Sequence, residues 1–454
     1  MSSATEFPQA YAISPARANY AVGVLLLAYV FSIMDRQILT LLVGPIQQAL
    51  QVNDSWMGVL HGFTFAAFYS LVGLPIARLI DRGNRRWIIT LGVALWCLAT
   101  AAGGLATEFW HLLLARVGVA VGEAVLLPGA VSLISDLFGA EKRGRALGVF
   151  GMGASFGAGA GLLATGLVLG YFTAHPLTLP GLGALQPWQT TLMSIGLPGL
   201  FILLLLRGVP EPRQQGVVQR TPPATVPLAE VQAYLLEHRR TFVGILLGAG
   251  CFYAGVYGSG SWVPSYFVRE FGWTYARIGA WMGAIMCVCG PLGVMLASLL
   301  GEHWRNNGVV GGNLRVALAA SIALPLFSVP MLLAPSAPWA LVFLLFTSLL
   351  WTCLFGVGAA LIVDITPAPL RGQFMALFTG VLSLLGAGCG PVAVGLLTDH
   401  WLGPAGTHYA ILIVTSVGGG LACLLFASAR RSFAHTAQHA VQWQPRSTPV
   451  EEHP

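Results

Sequence analysis

Five ionisable side chains sit where the surrounding sequence is almost wholly apolar: Asp35, Arg36, His61, Arg116 and Glu123. Each lies in a run of about 20 or more apolar residues, the length a helix needs to cross a bilayer. A charged group at the bilayer centre costs about 2.5–3.5 kcal/mol on insertion scales, so such residues face a cavity or a partner. At about 1.5 Å per residue, Asp35 lies about 22 Å into the first run. Arg116 and Glu123 lie about 7 and 14 residues into the fourth run, entered from the other side, so all three fall in one middle layer. Arg116 and Glu123 are seven apart, which puts them on one helix face, two turns apart, where both can address the first helix.

The chemistry open to such a set is proton handling. Low-dielectric surroundings disfavour a charged carboxyl, and a nearby arginine restores it. A carboxyl whose arginine neighbour moves between two conformations therefore takes up and releases a proton, and Glu123 and Asp35 are the candidates. A blander reading stays open, in which Asp35 with Arg116, or Arg36 with Glu123, form fixed ion pairs that only hold helices together. His61, near the end of the second run, is equally a cavity-edge histidine or a proton relay.

Other chemistries lack their residues. Lys142, in Ala-Glu-Lys-Arg, is the only lysine, so there is no Gly-rich phosphate loop ending in Lys-Ser/Thr. His-Glu-x-x-His does not occur, and Gly153-Ala-Ser-Phe-Gly157 matches Gly-x-Ser-x-Gly only within an apolar run, not at a strand-to-helix turn. The seven cysteines all lie in apolar runs without metal-ligand spacing. No cofactor, no metal and no enzymatic activity are expected. With 56% hydrophobic and 9% charged residues, the chain has too little polar surface for a soluble enzyme or a nucleic-acid binder. Energy from an ion gradient, or from the solute's own, is what remains.

The elements that must position these residues are twelve apolar runs. They fall near 18–46, 56–80, 87–107, 110–137, 144–172, 188–207, 240–268, 276–300, 314–334, 338–366, 370–399 and 407–429. The fold class is all-α membrane protein: twelve transmembrane helices in two six-helix bundles, residues 18–208 and 240–430. A segment of residues 1–17 precedes them, a linker of residues 209–239 joins them, and residues 431–454 read as a polar, disordered tail. The linker begins extended, with Pro210, Pro212, Pro222, Pro223 and Pro227, and ends in a short interfacial helix with Leu228, Val231 and Leu235 on one face. The first run is too long for a signal-peptide core, so no removed leader is expected. Of the 23 Lys and Arg residues, 18 fall in one alternate set of loops with the termini. Only Arg269 and Arg277 fall in the other set; Arg36, Arg78 and Arg116 lie within spans. The positive-inside rule then puts both termini and the linker in the cytoplasm, in a plasma membrane, the inner membrane in a bacterium.

The two bundles are copies. At an offset of 228, residues 133–150 lie on 361–378 with seven of 18 positions identical, including Asp136/Asp364, Arg143/Arg371 and Gly144/Gly372. At 229, the glycine ladder from Gly157 to Gly166 lies on Gly386 to Gly395. Such a duplication suggests parallel repeats around a midplane cavity. The ladders either let the halves rock or simply pack helices closely. The charges are not duplicated: Leu344 and Trp351 stand opposite Arg116 and Glu123, and Val256 and Tyr257 opposite Asp35 and Arg36. The second half offers Tyr253, Tyr257, Ser259, Ser261 and Trp262 instead, so one wall is charged and the other aromatic. An amphipathic solute suits that asymmetry.

The loop after the second run, Asp81-Arg82-Gly83-Asn84-Arg85-Arg86, resembles the Asp-Arg-x-Gly-Arg-Arg signature of the major facilitator superfamily, with Asn84 in place of the glycine and Ala77 where a preceding glycine is usual. With Met34-Asp35-Arg36 and the stretch from Arg116 to Gly122-Glu123-Ala124, the chain is similar to the spinster branch, which carries lysolipids or sphingosine phosphate. The resemblance implies alternating access by rocking halves, proton coupling at Asp35 and Glu123, and an anionic headgroup on Arg36 or Arg116. His61, Tyr253, Tyr257, Trp262 and Trp351 complete the candidate binding residues. Asp81, Arg82, Arg85, Arg86, Asp136 and Arg143 would form a cytoplasmic latch; the arginines equally serve plain positive-inside anchoring. The expected partners are the lipid bilayer, protons and a small amphipathic anion such as a lysophospholipid or sphingolipid, on a monomeric carrier. A carrier of small organic anions or drugs is the alternative. A channel would need a continuous polar pore, and a receptor would need a signalling domain.

Overall fold

A computed structural model describes residues 13–180, 183–212 and 227–443. The N-terminal dozen residues, Pro222 and Pro223 of the linker, and the last residues from 444 onward lie outside that description. Twelve helices are long and apolar enough to cross a membrane. They are α1 Pro15–Leu50, α2 Asp54–Gly73, α3 Arg85–Gly103, α4 Phe109–Leu137, α5 Glu141–Ala174, α6 Pro187–Leu206, α7 Arg239–Phe271, α8 Tyr275–Asn306, α9 Gly312–Leu332, α10 Ala337–Asp364, α11 Ala368–Leu402 and α12 Pro404–Gln442. Each coincides with one expected run. Apolar sequence forms helices here because a bilayer offers no partner for backbone polar groups, so each span must satisfy its own. A two-residue hairpin, Thr178–Leu179 with Gly183–Ala184, joins α5 to α6.

The chain forms two compact units. One comprises Met1–Pro45 and Phe68–Pro222, the other Ile46–Ala67 and Pro223–Pro454. This departs from bundles divided at the linker, because the end of α1 and the start of α2 pack with α7, α11 and α12. We call these units 1 and 2.

Both units are built by the same close approaches. In unit 1, a Cβ on Gly157 would stand 2.8 Å from the Val30 carbonyl, and one on Gly161 would stand 2.8 Å from the Cα of Met34. Bare glycine faces on α5 thus let it lie against α1 beside Asp35. The duplicate positions do the same in unit 2. A Cβ on Gly386 would meet the Cβ of Tyr253 at 2.7 Å, and Gly390 abuts the Ala254 carbonyl, so α11 lies on α7. A polar contact is repeated as well. Arg85 Nη1 donates to Asp136 at 2.5 Å in unit 1, and Asn313 Nδ2 donates to Asp364 at 3.0 Å in unit 2, each partner displaced by 228 positions.

Two expectations about polar segments need correction. The chain beyond Arg430 is ordered through Gln442 as a continuation of α12, with Phe433 and Thr436 buried. Phe433, Thr436 and His439 recur every three residues, so a polar composition hides one packing face. The linker helix runs Leu228–Glu237, but Leu228 is 68% exposed, and its anchor is Tyr234. The Tyr234 hydroxyl donates to the Ile365 carbonyl at 2.9 Å, and its ring meets Phe242 and Phe374 edge-on.

The glycine contacts give a direct test. Gly161→Val places branched carbons against the Met34 backbone and should destabilise by about 1–3 kcal/mol, the usual cost of overpacking. Gly148→Ala, with nothing within 4 Å of its added Cβ, should be near neutral. Thermal unfolding in detergent checks both, and equal melting temperatures would contradict the packing role.

Candidate functional site

Four of the five intramembrane ionisable residues come together in unit 1. Asp35 and Arg36 arrive on α1, and Arg116 and Glu123 on α4. A reciprocal glycine contact holds α3 against α4: a Cβ on Gly92 would stand 2.7 Å from the Gly122 carbonyl, and one on Gly122 the same from that of Gly92. That crossing sets Thr100 of α3 beside Asp35, to whose Oδ1 its hydroxyl donates at 2.5 Å. Arg116 Nη1 stands 3.6 Å from Asp35 Oδ2. Arg36 Nε donates to Glu123 Oε2 at 2.5 Å, and Ser32 Oγ donates to the same oxygen at 2.9 Å.

Two crossed ion pairs therefore bridge α1 and α4, two acids against two bases. They differ in access. The Asp35 and Arg116 side chains are each only 6% exposed, beside a small cavity lined also by Leu39, Thr100, Leu112 and Leu192. That cavity has room for about one water molecule, not for a solute. Arg36 is 29% exposed while Glu123 is sealed. The guanidinium of Arg36 also stands 5.1 Å over the Tyr69 ring, a cation–π contact. Glu123 Oε1 is buried and, among the described residues, without a hydrogen-bond partner. This is the carboxyl with an acceptor to spare.

The remaining candidates lie in unit 2. Tyr253 is buried, its hydroxyl without a partner among the described residues, and its ring stands 5.8 Å from Tyr257 and 5.3 Å from Phe355. Trp351 is buried one turn before Phe355, its indole N–H likewise without a partner there. Tyr257 is open at 37% exposure. These make an aromatic group with polar tips. Trp262 does something else: it is fully buried and donates Nε1 to the Pro391 carbonyl at 3.0 Å, so it is a packing residue and not an open binding surface. His61 joins this unit too, with Nδ1 3.1 Å from Ser261 Oγ.

The signature loop is divided by burial. Arg85 is completely buried and forked between Asp136, the Ser132 carbonyl and Glu211, whose Oε1 accepts from Nη2 at 2.5 Å. Glu211 Oε2 also accepts from the backbone N–H of Arg85 at 2.8 Å. Arg85 and Asp136 are thus an anchor inside unit 1 and not an opening latch; a charge this deeply buried needs permanent partners. Arg86 reaches the Arg207 and Val209 carbonyls, both at 3.4 Å. Asp81, Arg82 and Arg143 are exposed.

A second polar cluster escaped the sequence reading. In unit 2, Arg269 grips Asp54 in a fork, Nη1 to Oδ2 and Nη2 to Oδ1, both at 2.7 Å. Gln47 bonds both partners, and Thr407 Oγ1 accepts from Arg269 at 2.6 Å. Asp399 accepts from the backbone N–H groups of Asp54 at 3.1 Å and Ser55 at 2.7 Å, which neutralises the positive start of α2. Beneath it, a Cβ on Gly58 would stand 2.7 Å from the Pro391 carbonyl. The clamp joins α1 and α2 to α7, α11 and α12. Its one signal in the sequence is Arg269, a rare basic residue on its side of the membrane. Glu237, His238 and His439 form another group that the sequence reading passed over, with three ligand-type atoms within 4.8 Å of one another.

Asp54→Ala or Arg269→Ala leaves the other charge without its partner. Amide hydrogen exchange over residues 54–63 should then quicken at least about tenfold, since breaking such a pair costs more than 1.4 kcal/mol. The swap Asp54→Arg with Arg269→Asp should restore much of the protection. Unchanged exchange in the single variants would contradict the clamp.

Comparison with known proteins agrees with the twelve-span fold. The family described as Major Facilitator Superfamily matches residues 25–380. An MFS-type efflux pump of Mycolicibacterium smegmatis is 27% identical over 92% of this chain and 94% of its own. Human protein spinster homolog 1 is 28% identical over 86% of this chain and 74% of its own. The crystal structure of a bacterial homolog of the human lysosomal transporter spinster, in an inward-facing and unoccupied conformation, superposes with a TM-score of 0.74 at 23% identity. It covers 96% of this chain and 100% of its own. The chain is thus a multi-pass membrane transporter and not an enzyme; it belongs to the major facilitator superfamily and is similar to the spinster homologues.

Proposed function

We propose that this transporter moves an amphipathic anion, such as a lysophospholipid or a sphingolipid-like molecule, together with a proton, both taken up within the same charged layer. One observation carries the reading: Arg36, the partly exposed member of the layer, is held by Glu123, a sealed carboxylate with an unused oxygen. An anionic headgroup that takes Arg36 displaces Glu123. A carboxylate left alone in low dielectric takes a proton. The layer then holds one more negative and one more positive charge, so its sum stays at zero. Asp35 has both oxygens engaged, by Thr100 and Arg116, and is the second coupling site. In unit 2, Tyr253, Tyr257 and Trp351 form an apolar surface with hydroxyl and indole groups at its edge.

Alternating access requires the Asp54–Arg269 clamp to open in part of the cycle. The excess of basic residues on the linker side supports both termini lying in the cytoplasm, with the clamp at the outer ends of α1 and α2. Asp81, Arg82 and Arg143, being exposed, are the loop residues left for a cytoplasmic latch, while Arg85 and Asp136 serve to brace it. A second reading, export of organic anions or drugs, draws on the relative named as an efflux pump.

Two experiments test these assignments. In proteoliposomes with an imposed pH gradient, wild-type protein should accumulate lysophospholipid, and Glu123→Gln should lose gradient-driven uptake while still melting as wild type. Undiminished driven uptake by Glu123→Gln would exclude it as the proton site. Arg36→Ala should weaken binding of an anionic lysolipid by about tenfold or more, the worth of one charge-assisted hydrogen bond. A zwitterionic lysolipid should lose less, and equal losses would remove the headgroup assignment.

A further inference from the structure

His238 joins the linker helix to α7, and His439 lies on the last turn of the α12 extension, some 200 residues away. Their rings meet with His238 Nε2 2.7 Å from His439 Nδ1. Glu237 Oε1 stands 3.8 Å from the same His439 nitrogen. His435, one helical turn before His439, has its ring centroid 6.0 Å from that of His238.

We propose that Glu237, His238 and His439, with His435 at the edge, form a binding site for a divalent transition-metal ion of the zinc class, which pins the linker to the end of α12. Two imidazoles and a carboxylate are a donor set that zinc favours. In a tetrahedral zinc site, imidazole nitrogens at about 2.0–2.1 Å from the metal stand about 3.3 Å apart. The observed pair must open by about 0.6 Å to admit such an ion. His439 and Glu237 have side chains 34% and 48% exposed, so rotation about their own bonds provides that opening.

His238 has the surroundings of a positioned ligand. It is 5% exposed, and its second nitrogen, Nδ1, lies 3.4 Å from Thr436 Oγ1, which in turn lies 2.8 Å from Thr241 Oγ1. A ligating histidine commonly gives its other ring N–H to such an acceptor, which fixes the tautomer and aims the free lone pair at the metal. The ring of Tyr234 stacks on His439 at 5.9 Å and on the other side touches the core through Phe374. A metal here would therefore join two segments that polar sequence alone holds weakly, and would brace the connection between the two halves of the chain. None of this depends on the solute carried.

The test uses the full chain without a polyhistidine tag, purified in detergent, stripped with EDTA and desalted. Zinc is added, excess removed, and metal per chain measured together with thermal unfolding. Wild-type protein should hold one zinc per chain and melt higher with zinc, and EDTA should reverse the shift. His439→Ala, a half-exposed change, should melt as wild type does in EDTA but lose both the bound equivalent and the zinc-dependent shift. If wild-type and His439→Ala protein retain the same zinc, or if zinc leaves the wild-type melting temperature unchanged, the pair is only an imidazole–imidazole hydrogen bond and the site is overturned.

Discussion

Four charges enclosed in apolar helices must sum to zero. Asp35, Arg36, Arg116 and Glu123 meet that condition as two crossed pairs between α1 and α4, and the helices around them are placed to make the crossing possible. A buried pair gains little over apolar packing, while one buried charge left alone is costly. The layer is therefore stable only as a set, and any event that removes one member from its partner obliges another charge to arrive. A solute anion and a proton are the two that a carrier can exchange. Arg269 is likewise answered one for one by Asp54, while the buried Arg85 has two carboxylate partners, Asp136 and Glu211.

Duplication supplies the frame and divergence supplies the chemistry. Gly157 and Gly161 seat α5 on α1, and Gly386 and Gly390 seat α11 on α7, so each repeat is assembled by the same bare faces. What differs is what those faces deliver. In unit 1 the helix that receives them carries Asp35 and Arg36; in unit 2 it carries Tyr253 and Tyr257. Arg85 and Asn313 mark the same divergence at the helix ends, one charged and heavily bonded, the other neutral and bonded to the equivalent aspartate.

Much of this was legible because charge inside an apolar run has no cheap explanation. The twelve spans were legible in the length of the apolar runs, and the repeat in charges and glycines shared at one offset. Asp54, Glu211 and Asp399 were not legible, since a carboxylate near a helix end costs little and its partner is chosen by tertiary approach. Trp262 looked like a cavity aromatic, but it is fully buried and its N–H donates to the Pro391 carbonyl of α11. His439 fell in a tail whose polarity masked one buried stripe. The start of α2 joins unit 2 through Gly58 and Gly62, whose bare faces meet Pro391 and Ala387, an approach that the sequence does not signal.

The central claim is that Glu123 exchanges its arginine for a proton, and infrared difference spectroscopy across a pH jump observes that exchange without knowledge of the solute. Wild-type protein in lipid should give a carboxylic-acid stretching band that disappears in Glu123→Gln and persists in the exposed control Asp81→Asn. A spectrum unchanged by Glu123→Gln would mean that the crossed pairs stay ionised throughout, and that the charged layer is a strut.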